Sequence, residues 1–241
     1  MNCLSDMIRF ANNLFILVIT VLSAFVFPFS YSFADVHVVY ENESNNSLKI
    51  ELFAKKGAIL IVNRDKTFKV VDFDKHEMFF FNRDKSNNVL KLPIVNVNEE
   101  KPVDQVDRDG LLGAKIVDTK EKAFVGGKEA NVLKFTSQID EEQTVYGIRI
   151  GDDDLIQTLV SGLAKIQSNG NEVLKTASFY YALKAGYLPI GIKTKRDVWM
   201  ATEVENKPLS KKLFDKPKRM KVISDKEYLE DIAKSILDGM Q

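Results

Sequence analysis

Cysteine is almost missing from this chain: Cys3 is the only one among 241 residues. One thiol excludes an internal disulfide and any cysteine-rich zinc module. Histidine is nearly as scarce, with His37 and His76 alone. No cysteine stands near either, so the four close ligands of a structural zinc site have no sequence pattern. The two read as incidental surface histidines, and neither metal nor cofactor is expected. No Gly-x-Ser-x-Gly elbow accompanies them, which removes the usual setting of a Ser-His-Asp nucleophile. Net charge is missing too, since 34 Lys and Arg balance 34 Asp and Glu. Bulk nucleic-acid binding needs a cationic face, so that partner class is set aside. There is no internal repeat and no low-complexity segment. A non-catalytic protein is the expectation.

Long apolar runs are also absent, with one exception. Leu14 to Phe27 (LFILVITVLSAFVF) has the length of a signal-peptide core, behind a weakly basic start at Arg9. Ser32-Phe33-Ala34 supplies the small-x-small pattern of a cleavage site, which makes Asp35 the expected first mature residue. Residues 1–34 are thus read as a cleaved export signal and the remainder as periplasmic. The alternative is an uncleaved inner-membrane anchor, because the run extended through Pro28 to Ala34 approaches spanning length. Pro28 and the serines behind it favour cleavage. Cleavage would remove Cys3. No cysteine occupies the lipobox position at the mature start, and Cys3 lies upstream of the apolar run, so a lipid anchor there is not expected.

What remains is rich in β signals. Val36 to Tyr40, Leu48 to Phe53, Ala58 to Val62, Phe68 to Phe73, Met78 to Phe81 and Val89 to Ile94 are apolar or alternating runs. Polar turn chemistry separates them: Asn42 to Ser47, Lys55-Lys56-Gly57, Asn63 to Lys66, Asp74 to His76, and Asn82 to Asn88. This is the pattern of an antiparallel meander. Asn96 to Asp109 is charged, contains Pro102, and reads as a long exposed loop. A second strand set follows in Ala114 to Val117, Lys122 to Val125, Ala130 to Thr136 and Gln143 to Ile150. Gly126-Gly127 is its hairpin turn, where a positive φ costs glycine little.

The period then changes. Leu155, Ile156, Leu159, Val160, Leu163 and Ile166 form a helical stripe. Asp152, Asp153 and Asp154 at its start are read as a cap on free N–H groups rather than a Ca²⁺ site, since EF-hand spacing is absent. Glu172 to Lys184 reads as a second helix stopped by Gly186, or as a strand through Ser178 to Leu183. Leu188 to Lys193 and Asp197 to Val204 are further strands. Lys207 to Lys221 is a basic connector that includes Lys211, Lys212, Lys216, Lys218 and Arg219 against the single acid Asp215. It is a solvated connector with Phe214 pinned in the core, or a surface for anionic lipid or an envelope protein. Ser224 and Glu227 make a capping box for a C-terminal amphipathic helix over residues 224–241.

The phenylalanines are concentrated where both faces of several strands are apolar. That sheet is covered on both sides, or one face lines a cavity for a hydrophobic ligand such as a lipid. Leu52, Leu60, Val62, Phe68, Val70 and Phe80 are the expected wall of such a cavity. The choice of face is sensitive to register, since a slip of one residue reverses it.

Several segments carry a family likeness. Leu48 to Phe53, a turn, and Ala58 to Asn63 resemble paired opening strands. Phe68 to Phe80 (FKVVDFDKHEMFF), Thr119 to Ala130 (TKEKAFVGGKEA), Gly186-Tyr187-Leu188-Pro189 and Leu213-Phe214-Asp215-Lys216-Pro217 follow. Together they resemble the periplasmic lipoprotein-carrier (LolA/LppX-like) superfamily, especially its uncharacterised periplasmic branch. The resemblance implies an α+β fold, with a curved antiparallel half-barrel over residues 35–223 covered on one face by helices. It also implies an acyl-chain cavity and a place in envelope lipid or lipoprotein traffic. The carriers' early-strand arginine has no counterpart; Lys55 and Lys56 are merely near its place. No carrier site residue transfers by motif. The alternative function is an envelope interaction or sensor module with a solid core.

Overall fold

In the computed structural model, the described residues are 35–82, 88–94, 113–138, 142–166 and 173–224, with 226, 227 and 230. The expected signal segment, the long loop and most of the expected C-terminal helix lie outside them. Twelve strands form one open sheet. The first six are β1 (Asp35–Asn42), β2 (Asn45–Lys55), β3 (Ala58–Asn63), β4 (Thr67–Asp72), β5 (Glu77–Asn82) and β6 (Asn88–Pro93). The next five are β7 (Lys115–Val125), β8 (Lys128–Thr136), β9 (Gln143–Arg149), β10 (Tyr187–Lys193) and β11 (Val198–Glu205), and the last is β12 (Lys221–Ile223).

The first half is an antiparallel meander, as its turn spacing predicts, and β7 to β11 pair antiparallel in chain order, with the helices between β9 and β10. The two halves join through β1, which pairs antiparallel with both β2 and β11. The expected six-residue separator at Asn42 to Ser47 tightens to a turn at Glu43 and Ser44. The Asn42 side chain accepts bonds from the Ser44 and Asn45 amides there, both at 2.9 Å. The two short runs expected before Gly126 form one strand, β7, with its register broken between Asp118 and Lys122. The end of the basic connector is a strand: β12 pairs parallel with β6. The order therefore runs from β12 at one edge to β7 at the other, without closure.

Among the described residues, two helices lie on one face of the sheet. Helix α1 (Asp153–Lys165) starts at Asp152, whose carboxylate accepts from the Leu155 amide at 3.0 Å. This is the cap its three aspartates predict. Helix α2 (Ala177–Lys184) follows a short 3₁₀ turn at Val173–Lys175. Thr176 caps it, so the helical reading of this ambiguous segment holds over the strand. Gly186 follows at φ +84°, a left-handed position suited to glycine.

Helix α1 packs on β2 and β3, and α2 packs on β7, β8, β9 and β10. The sheet curls around α2 until the turn after β7 meets β11. A Cβ placed on Gly126 would stand 3.0 Å from the Ala201 carbonyl oxygen. The main core fills the space between helices and sheet, with Tyr40, Leu52, Ile59, Ile61, Leu155, Leu159, Phe179 and Leu183 among its buried residues. The expected open, curved, α+β architecture with helices on one face is what these residues build. Among the described residues, no helix is long and apolar enough to cross a membrane.

Candidate functional site

Register assigns every strand residue to a face. Leu52 lies opposite Ile61, Ile61 opposite Lys69, and Lys69 opposite Phe80. These residues face the helices, where Leu52 is in the main core, Phe80 packs against it, and Lys69 is buried as well. Leu60 opposes Val70, and Val62 opposes Phe68. Those four face away from the helices, in a second apolar cluster with Ala58, Phe79, Phe81, Val89 and Phe214. The six expected wall residues thus divide two and four between opposite faces and do not line one surface. The adjacent aromatics Phe79, Phe80 and Phe81 hid this division, because alternation carries no signal where neighbours are all apolar.

The second cluster is closed by the basic connector. Ser210 accepts from the Lys212 amide and starts a 3₁₀ turn over Lys211–Phe214. That turn drives Phe214 to 1 % exposure against β3 and β4. Lys55 lies over the Phe214 ring, 5.2 Å from its centroid. Lys75 clamps the strap from outside, with its Nζ 2.8 Å from both Asp215 and Asp72. These bonds, the Asp215 one first, hold the ammonium well above the ordinary lysine range. Phe68 and Phe81 stack beneath at 4.8 Å. Lys211, Lys212, Lys216, Lys218 and Arg219 all line this strap, and none of them is buried. The structure therefore places Phe214 in a core, as one reading of the connector expects, and leaves its cations facing solvent.

The helix side is tightly closed where α1 crosses the sheet. A Cβ on Gly162 would come within 2.6 Å of Ile59 Cδ1 and 2.9 Å of Cγ1. There is no room at this crossing for a methyl group, still less for an acyl chain.

The outer edge of β7 is different. It is eleven residues long and, among the described residues, β8 is its only strand partner. Phe124 on this strand is 77 % exposed and Val117 is 50 % exposed. A bulge interrupts it, and Lys120 takes φ 68° there. Asp118 holds the bulge, accepting from the Lys120 amide at 2.8 Å and from the Tyr187 hydroxyl at 3.0 Å. The Lys120 amide and then the Tyr187 hydroxyl draw the Asp118 carboxyl below its ordinary range. The sequence offered Phe124 only as one more strand aromatic. That it stands out on an edge follows from sheet order.

His37 is a correction. It is not an incidental surface histidine: it is 8 % exposed and stacks on Phe53 with ring centroids 4.1 Å apart. Its Nδ1 lies 3.0 Å from Glu205 Oε2, and its Nε2 is 3.7 Å from Glu51 Oε2. Lys207 bonds to Glu205 as well; with His37 it pulls the Glu205 carboxyl down to about 2. His76 is exposed, as expected.

No family model and no curated protein matches the chain. Solved structures give only distant likenesses. An uncharacterized conserved protein from Thermus thermophilus aligns over 80 % of this chain and 91 % of its own, at 10 % identity and TM-score 0.45. MucB aligns over 80 % of this chain and 61 % of its own, at 11 % identity and TM-score 0.39. PNGF-II aligns over 83 % of this chain but only 33 % of its own, at 15 % identity and TM-score 0.42. Likenesses at such scores assign neither family nor function.

Proposed function

We propose that this chain is an exported, non-catalytic interaction module of the cell envelope that recruits a partner protein through the outer edge of β7. The reading rests on one observation: an edge strand of eleven residues presents Phe124, the most exposed large apolar side chain among the described residues. A long, open edge is a ready template for another strand, and natural proteins seldom leave one with an exposed aromatic. The fitting occupant is an extended segment that adds its main-chain N–H and C=O groups to β7. Its apolar side chains would cover Phe124 on one face of the edge and Val117 on the other, since these pair with Glu129 and Lys134, five residues apart on β8. The export reading comes from residues 1–34, and the solid core at the α1 crossing favours docking on a surface over storage in an interior.

A photo-activatable residue in place of Phe124 tests this in cells. One discrete protein adduct is expected, and Val117→Lys should abolish it while leaving thermal stability unchanged. A protein adduct indifferent to Val117→Lys, or no adduct at all, would refute the edge as the docking site.

The second reading is a hydrophobic ligand, as the resemblance to lipoprotein carriers implies. One feature favours it: Leu60, Val62, Phe68 and Val70 do converge, under a strap rather than a helical lid. Displacement of Phe214 by an acyl chain would open that cluster. Native mass spectrometry of the purified protein, followed by organic extraction, would find a lipid adduct sensitive to Phe68→Asp. A clean protein mass would remove this reading.

A further inference from the structure

His37 lies at the centre of a cluster that strand pairing assembles on the face opposite the helices. On β1, His37 stands between Phe53 of β2 and Glu205 of β11. Two residues along, Val39 stands between Glu51 and Glu203. Three carboxylates therefore surround one imidazole. The donor atoms of His37, Glu203 and Glu205 all lie within 4.8 Å of one another. Lys207 neutralises part of this charge through Glu205. The Glu203 side chain makes no hydrogen bond or ion pair among the described residues.

The imidazole is mismatched to these neighbours when neutral. With the proton on Nδ1 it satisfies Glu205, but Nε2 then turns a bare lone pair toward Glu51. Nε2 is buried and has no hydrogen-bond partner. With the proton on Nε2, the lone pair of Nδ1 meets Glu205 instead. Either tautomer sets a lone pair against a carboxylate. A cation between Nδ1 and the β11 glutamates removes the conflict: Nδ1 becomes a ligand, and Nε2–H donates toward Glu51. A carboxylate behind a ligating histidine is the usual outer-shell arrangement.

We infer that His37, Glu203 and Glu205 bind a divalent transition-metal ion of the Zn²⁺ class, with Glu51 orienting the imidazole. One nitrogen and two oxygens suit zinc better than calcium or magnesium, whose sites are built from oxygen alone. Tetrahedral zinc bonds of about 2.0–2.2 Å set donors about 3.4 Å apart; His37 Nδ1 and Glu205 Oε2 already stand at 3.0 Å, and all three donors lie within 4.8 Å, so small side-chain adjustments complete the site. A three-ligand site leaves a fourth position for water. This site lies on β1 and β11 and is independent of docking at β7.

Titration of the metal-free full chain with Zn²⁺ by calorimetry tests it, with Glu203→Gln as the main variant. Glu203 is exposed and unpaired, so the variant should fold as the parent does and melt within about 1–2 °C of it. One Zn²⁺ per chain is expected, with affinity at least tenfold weaker in Glu203→Gln and in His37→Gln. Zinc should raise the melting temperature of the parent and not of Glu203→Gln. Co²⁺ should give the intense visible bands of a low-coordinate site. Equal zinc binding in parent and Glu203→Gln, or no binding in either, would overturn the inference. So would a cluster that titrates with pH at His37 and ignores zinc, which would make the proton its only cation.

Discussion

Gly162→Ala measures how closely α1 sits on the sheet. In an exposed helix the change would stabilise by about 1 kcal/mol, because alanine loses less backbone entropy than glycine. Here the new methyl would stand 2.6 Å from Ile59 Cδ1, 2.9 Å from Cγ1 and 3.3 Å from Cγ2. Carbon atoms rest at about 3.5–4.0 Å, so the crossing must open by roughly 1 Å or Ile59 must leave its rotamer. Ile59 is fully buried, and the cost of such overpacking is about 1–3 kcal/mol. The overpacking outweighs the propensity gain, and a net loss of about 1 kcal/mol is expected, or about 2–4 °C in melting temperature. Ile59→Val removes Cδ1 and alone should cost about 1 kcal/mol. The double variant should be less destabilised than the sum of the singles by up to about 1 kcal/mol, since valine removes the 2.6 Å contact and leaves the smaller one at Cγ1. Urea unfolding of all four proteins would give this coupling. A Gly162→Ala protein more stable than the parent, with no coupling to Ile59→Val, would refute the close crossing and reopen the helix side to a ligand.

The buried hydroxyl of Tyr40 donates to the Pro189 carbonyl at 2.6 Å. Tyr40→Phe strands that carbonyl and should cost about 1–3 kcal/mol in urea unfolding. Burial also pushes the Tyr40 ionisation far above its ordinary value. Above about pH 10 the unfolded chain then loses a proton that the folded chain keeps, so stability falls as pH rises, by up to about 1.4 kcal/mol per unit. Unfolding followed between pH 9 and 11 should show a shallower fall in Tyr40→Phe, and an unchanged slope would contradict the burial. Phe214→Ala should cost about 3–5 kcal/mol and speed hydrogen exchange across residues 209–220, because the strap loses its anchor in the second cluster. Slow exchange there in a destabilised protein would mean that Lys75 and Asp215, not Phe214, hold the strap.

Local order was legible in the residues themselves. Period-2 runs and turn chemistry mark the strands of the first meander and of the second set, and the Asp152 cap with its apolar stripe marks α1, because these signals act between near neighbours in the chain. Ser224 and Glu227 likewise exchange the bonds of the predicted capping box, at 2.9 Å and 3.4 Å. Three features were decided only by tertiary contacts. The pairing of β1 with β11 joins the halves, and nothing local specifies a partner at such sequence distance. The faces of the phenylalanine-rich strands depend on what covers them, and α1 on one side and Phe214 on the other resolve an alternation that an all-apolar run leaves blank. The setting of His37 is the clearest case, since Glu205 lies 168 residues away. A histidine beside a valine in sequence gives no sign of three carboxylates. Only the register of three adjacent strands brings their charge to one imidazole.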